Sequence, residues 1–314
     1  MTNIPINERQ NFIGASEVSA LFGLHPQLTK FELWHIKKGN LPPADLSANE
    51  RVMWGNHLEP AIAKGIAELH GWKIRRVRRY LVNPRVPGMG ASLDYEILNY
   101  PGYGTIPFEI KNVDGLVFKD WDEEEAPIHM QLQVQSQLAC SKDTCRAAML
   151  GVLVGGNRAI TYGIDRREKT IRRIEMAVQE FWQSIADDHP PSPTFETDSD
   201  AVLRLYKQVD PGSFETIDDS YVERLLQRYC EARDIERAAF NDKMAARAEI
   251  MTHIGRTETV VCGSYRVTNK NGFRVYERRD SEEEGAPFEF DIEAMKIEAK
   301  GKKTESLRDI KSIF

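Results

Sequence analysis

Apolar side chains recur at helical spacing twice near the start of the chain. Residues 16–22 read as a short helix entered through Gly14-Ala15-Ser16, and Phe31, Trp34 and His35 set a second over 31–38. Leu41-Pro42-Pro43 breaks that run, because proline lacks a backbone N–H and crowds the preceding turn. Val52, Leu58, Ile62, Ile66 and Leu69 then predict a long amphipathic helix that stops before Gly71, and Glu59 rides on it. Three strands are expected next, over 73–81, 90–97 and 106–110, with the turn-rich Asn99-Tyr100-Pro101-Gly102 between the last two. Pro127 opens a helix that runs to Leu138, 146–154 and 159–164 read as strands, and 169–186 as another amphipathic helix. The order α-β-β-β-α-β-β-α describes an α/β (α+β) core.

Beyond it the pattern changes. His189-Pro190-Pro191-Ser192-Pro193 marks the end of a main domain expected over 1–190, followed by a linker over 191–215. An accessory region over 216–280 holds a long charged helix, 217–253, and a hairpin. In that hairpin Tyr265-Arg266-Val267 and Phe273-Arg274-Val275 flank Asn269-Lys270-Asn271-Gly272. Residues 281–314 read as a loosely structured tail, and no internal repeat is visible.

A length of 314 residues fits one sizeable core with a smaller module appended. No run approaches the roughly 18 to 20 apolar residues that cross a bilayer. The start, MTNIPINERQ, lacks the basic and apolar stretches of a secretory signal, so a soluble protein of the bacterial cytoplasm is expected, in a bacterium or a phage-infected host. A net charge of -6 argues against bulk electrostatic binding of nucleic acid but not against a locally basic cleft. Two basic clusters stand out: Lys73, Arg75, Arg76, Arg78 and Arg79, then Arg166, Arg167, Lys169, Arg172 and Arg173. Either is also what a solvated face looks like. Cys140, Cys145, Cys230 and Cys262 are too dispersed for a zinc or iron–sulfur site and read as small buried apolar residues.

The candidate chemistry lies in the predicted meander. Asp94 and the triplet Glu109-Ile110-Lys111 fall at the ends of neighbouring strands, where the two acids would face one another. Alternation along a strand puts Glu109 and Lys111 on one side and Ile110 in the core. Hard oxygen ligands suit Mg2+, and Mn2+ equally, and such an ion can hold a phosphate oxygen and a water together. Taken alone, the motif is short enough to recur by chance, and an ordinary cross-strand ion pair beside a turn aspartate has the same appearance.

Its surroundings narrow the choice. Arg9 with Ile13-Gly14-Ala15-Ser16-Glu17-Val18, Trp54-Gly55 with Glu59, Ala91-Ser92-Leu93-Asp94, Glu109-Ile110-Lys111 and Gln133-Val134-Gln135 follow in order over residues 9–185. Together they resemble the YqaJ-type, λ-exonuclease-like phage recombinases of the PD-(D/E)XK nuclease superfamily. The resemblance implies a restriction-endonuclease-like fold, with a central mixed sheet between helices. It implies a metal held by Glu59, Asp94, Glu109 and the carbonyl of Ile110, with Lys111 orienting or activating the attacking water. Gln133 would position that lysine or the DNA, with Gln131 and Gln135 as further candidates. Arg9 and Ser16 would bind a 5′-phosphate, joined by Ser92 in contacting DNA. Two departures stand out: Leu93 replaces the proline often found before the aspartate, and Asn112 follows the lysine where cysteine or a proline turn is common.

The implied activity is metal-dependent exonucleolytic cleavage of duplex DNA ends, 5′ to 3′, exposing single strands for phage-type recombination. A homo-oligomer, trimeric by resemblance, and a single-strand annealing protein are the implied partners. An endonuclease or nickase with the same metal site is the first alternative, and a non-catalytic DNA-end-binding protein the second.

Overall fold

The computed structural model describes residues 10–77, 79–122, 124–270 and 273–278. In chain order, a two-residue strand β1 (Ile13–Gly14) leads through a 3-10 turn (Val18–Phe22) to helices α1 (Lys30–Lys38) and α2 (Glu50–His70). Strands β2 (Lys73–Arg76), β3 (Tyr80–Val82), β4 (Met89–Ser92), β5 (Tyr95–Tyr100) and β6 (Gly104–Val113) follow. Next come the single turn α3 (Gly115–Phe118), helix α4 (Ile128–Cys140), strands β7 (Ala147–Val154) and β8 (Arg158–Asp165), and helices α5 (Glu168–Ala186) and α6 (Phe195–Leu205). Helix α7 (Ser220–Ile254) and strands β9 (Thr259–Cys262), β10 (Tyr265–Lys270) and β11 (Phe273–Arg278) complete the described chain, which divides into two compact units between Ser213 and Phe214.

The first unit is built on a five-stranded mixed sheet in the order β2-β5-β6-β7-β8. Only β6 and β7 run parallel, and α4 makes the crossover between them. Alternation sorts the two faces. Ile106, Phe108 and Ile110 of β6 and Met149 of β7 pack with Ile62, Ala63 and Ile66 of α2. Ala148, Leu150 and Val152 pack on the other side with Val134 and Leu138 of α4 and Ile171, Ile174 and Val178 of α5. Gly151 lets α2 come this close, since a Cβ there would sit 2.7 Å from the Phe108 ring and 2.9 Å from Ile66. The ends of α1 and α2 are capped. Thr29 and Asn49 accept from the backbone of Glu32 and Val52, and Gly39 and Gly71 close α1 and α2 with φ of 89° and 68°. Leu69, expected on the buried face of α2, is 74% exposed; Ala67 takes that place.

The expected meander is broken in an informative way. The expected strand 73–81 divides into β2 in the large sheet and β3 in a second sheet of order β1-β4-β3. The expected strand 90–97 likewise divides into β4 in the small sheet and β5 in the large one. Both segments turn the corner side by side, pinned where the Val77 N–H donates to the Asp94 carbonyl at 3.0 Å. Asp94 therefore stands at the joint of two sheets rather than inside a strand.

Other expectations are corrected too. Residues 16–22 form a turn and a five-residue 3-10 segment, too short for an α-helix. The stretch expected as linker contains α6, which packs Ala201 against Phe31 and Leu41 and pairs Arg204 with Glu32. Cys140 and Cys145 are buried, but Cys230 and Cys262 are exposed. In the second unit α7 has no buried residue, and the expected hairpin gains a third strand, β9, paired with β10. The tip Asn271-Gly272 and the tail over 281–314 lie outside the described residues. Among the described residues no helix is long and apolar enough to cross a membrane.

Candidate metal centre

Each central group is placed by the alternation of β6 and by the corner before β5. Ile110 points to the α2 face, so Glu109 and Lys111 point to the α4 face. There Lys111 Nζ lies 2.7 Å from Glu109 Oε1. The same oxygen accepts from Gln133 Nε2 at 2.5 Å, while Oε2 accepts from Gln137 Nε2 at 2.5 Å. Asp94 reaches across from the corner, its Oδ2 accepting from the Ile110 N–H at 2.9 Å. Thus the two acids meet through the backbone of the residue between Glu109 and Lys111.

Glu59 comes from the opposite side of the sheet, because α2 covers the Ile110 face. Its carboxylate sits 3.6 Å from Arg76 on β2. Among the described residues no trio of His, Cys, Asp or Glu side chains is gathered closely enough to enclose an ion. Like charges repel, and each of the three carboxylates is turned instead to a cation or an N–H group.

Electrostatics still tie the three together. Burial pushes the Asp94 carboxyl up to about 8, and the charges of Glu109 and Glu59 add to that against the Ile110 hydrogen bond. Burial also raises Glu59, with Arg76 and Lys111 opposing and Glu109 assisting. For Lys111 burial favours the neutral amine, but Glu109, Asp94 and Glu59 outweigh it and hold the ammonium form. This excess of negative oxygen is what a hard divalent cation would neutralise, so the donor set fits Mg2+ or Mn2+ in its chemistry. Asp94 and Glu109 would be its ligands here, and Glu59 would join on leaving Arg76.

A cavity of about 570 Å³ opens beside these groups and joins Asp94, Glu109 and Gln133 to Ser16 and Ser92. Its wall is fastened by Lys37, whose ammonium bonds Glu17 and the Phe12 carbonyl, each at 2.8 Å. Glu17 in turn accepts from the Gly14 N–H at 2.8 Å, holding the turn that presents Ser16. The Ser16 hydroxyl makes no hydrogen bond among the described residues, and the 3-10 segment that follows has Glu17, not Ser16, at its N-cap. Arg9 lies outside the described residues. Gln131 and Gln135 are engaged elsewhere, with the Ala126 carbonyl and with the Asp165 carbonyl and Arg167 N–H.

The basic clusters are partly spent on structure. Arg75 and Arg79 bond the buried Glu96, and Arg166 bonds Glu168, Asp143 and the Leu138 carbonyl. Arg78 lies outside the described residues. Sequence reasoning missed Gln137, the pairing of Arg76 with Glu59 and the Glu17–Lys37 pair. The signal for Gln137 was its i+4 spacing from Gln133, which puts both on one face of α4.

Residues 6–144 match the family model of the YqaJ-like viral recombinase domain. The chain is 33% identical over 175 residues to the uncharacterized protein YqaJ of Bacillus subtilis (strain 168). That stretch is 56% of this chain and 53% of the relative, so the chain spans about half the length of the YqaJ protein it matches. Among solved structures it is similar to the alkaline exonuclease LHK-Exo from Laribacter hongkongensis, at 16% identity and a TM-score of 0.45, covering 63% of this chain and 97% of that one. A phage related exonuclease from Haemophilus somnus 129PT aligns at 14% identity and a TM-score of 0.42, covering 56% and 96%. The YqaJ-like match takes in Glu59, Asp94, Glu109, Lys111 and Gln133, the residues on which the sequence resemblance rests.

Proposed function

We propose that this chain is a metal-dependent DNA exonuclease acting 5′ to 3′ on duplex ends, supplying single strands for phage-type recombination. The observation that carries the reading is one cavity in which Asp94, Glu109 and Gln133 share a wall with Ser16 and Ser92, with Lys111 bonded to Glu109 beside them.

Asp94, Glu109 and the Ile110 carbonyl would hold the ion, with Glu59 as a further ligand. When bound, the ion supplies a Lewis acid for a phosphate oxygen and lowers the pKa of a water. Lys111, kept protonated by its carboxylates, donates hydrogen bonds: it orients a water or a non-bridging phosphate oxygen and offsets developing charge. Gln133 restrains Glu109 Oε1 and so keeps Lys111 in place. The unengaged Ser16 hydroxyl and Ser92 offer donors to a terminal phosphate, with Arg9 assigned there by resemblance. Trimeric assembly and a single-strand annealing partner belong to the same proposal.

Duplexes labelled at the 5′ or 3′ end and a closed circular plasmid, each with Mg2+ or chelator, test the reading. Early release of 5′ label from linear DNA with the circle intact is expected. Cutting of the circle would make the protein an endonuclease, and binding without cutting an end-binding protein.

A further inference from the structure

Gln137 is 1% exposed and lies one helical turn beyond Gln133 on α4. Its Nε2 donates to Glu109 Oε2 at 2.5 Å and also to the Ser92 carbonyl at 3.2 Å. Its Oε1 is buried and has no hydrogen-bond partner. Leaving such a group unsatisfied is destabilising, a cost that an apolar side chain of equal size would avoid. The amide is therefore poorly explained as packing, and what it touches explains it better.

Ser92 ends β4, two residues before Asp94, and Glu109 is on β6. These strands belong to different sheets and share no ladder. One NH2 group thus ties together the two segments that carry the paired acids. It also sets the orientation of Glu109. A carboxylate offers about four lone-pair positions. Lys111 and Gln133 occupy Oε1 and Gln137 takes one position on Oε2, which leaves a single position on Oε2.

Resting on the metal-centre reading above, we propose that Gln137 is a positioning residue. It fixes the gap between Asp94 and Glu109 and aims the remaining Glu109 lone pair so that both acids meet one divalent cation. Its role is exerted through Glu109 and needs no contact with substrate.

The test is Mn2+ titration by calorimetry on the full chain, with thermal melting and cleavage kinetics, for wild type, Gln137→Met and Gln135→Met. Methionine fills the space of glutamine without its N–H groups. Gln137→Met should bind Mn2+ about tenfold more weakly or worse, and lower kcat with an unchanged KM for DNA. Gln135→Met loses two hydrogen bonds from the same helix, so it should melt at least as early as Gln137→Met while keeping wild-type Mn2+ affinity. If the Met variant fails to fold, Gln137→Asn withdraws the amide by one methylene and gives the same readout. Wild-type Mn2+ affinity in the Gln137 variants, or equal weakening in Gln135→Met, overturns the proposal. A wild type that binds Mn2+ without cutting DNA refutes the nuclease reading and leaves this inference to the affinity comparison. A wild type that binds no Mn2+ overturns both.

Discussion

The centre of the site and its perimeter are built differently. Glu109, Ile110 and Lys111 come from one continuous strand in the middle of a sheet, and Asp94 is fastened to that strand by the Ile110 N–H. Every polar atom of Glu109 has a donor, and α4 closes over it with Gln133 and Gln137. The perimeter is looser. Glu59 reaches in from α2 across the sheet and rests on a half-exposed arginine, and Ser16 sits on a turn held by Glu17 and Lys37. The contrast shows where rigidity is concentrated: Glu109 and Asp94 are held by a central strand and its N–H group, while Glu59 and Ser16, at the edge of the proposed ion site, keep freedom to adjust.

The largest effect should therefore come from the centre. Glu109→Gln or Lys111→Ala is expected to lower the cleavage rate about 10³-fold without loss of the folded state, read from single-turnover digestion and circular dichroism. Ser16→Ala should act far less on the same assay, and an equal loss would erase the distinction between centre and perimeter.

Acidity gives the next effect. Asp94 titrates near 8 in the fold against 3.8 in an unperturbed chain, and an ion needs its carboxylate form. Ion affinity should rise about tenfold per pH unit below 8 and then level off, because binding displaces one proton. The sign for stability is opposite. With the folded value above the unfolded one, the ion-free protein keeps this contribution in full below about pH 4 and loses it as pH rises through 8. Asp94→Asn should flatten that part of the melting profile, and an unchanged profile would contradict the burial argument.

Gly151→Ala addresses the α2 side alone. Its Cβ would enter the space of Phe108 and Ile66, which should cost about 1–3 kcal/mol in urea denaturation. Since α2 carries Glu59 and not Glu109, the contacts among Glu109, Lys111 and Gln133 should persist. The smallest effect is expected at Arg76→Gln, which frees Glu59 from an ion pair with a half-exposed arginine. Ion affinity should rise about threefold, measurable by calorimetry, because such pairs contribute little.

How much was legible in the sequence follows the same division. Period-2 alternation in β6 correctly put Ile110 in the core and Glu109 beside Lys111, since that pattern needs only local geometry. Helices α2, α4 and α5 and strands β7 and β8 lay within a few residues of expectation because their apolar spacing is regular. The corner at Asp94 was hidden, because a strand that changes sheets keeps its alternation and loses only its partner. Helix α6 was hidden by flanking prolines and a short apolar face that needs α1 to bury it. The i+4 spacing from Gln133 marks Gln137 itself, but the Arg76–Glu59 pair and the Ser92–Gln137–Glu109 bridge join residues far apart in sequence, and no local pattern announces those partners.

The most direct test of the account is digestion of linear duplex DNA by wild type, Glu109→Gln and Lys111→Ala, each with Mg2+ and with chelator. Mg2+-dependent cutting by wild type alone is the predicted result. Cutting that survives chelation, or survives loss of both Glu109 and Lys111, would contradict it.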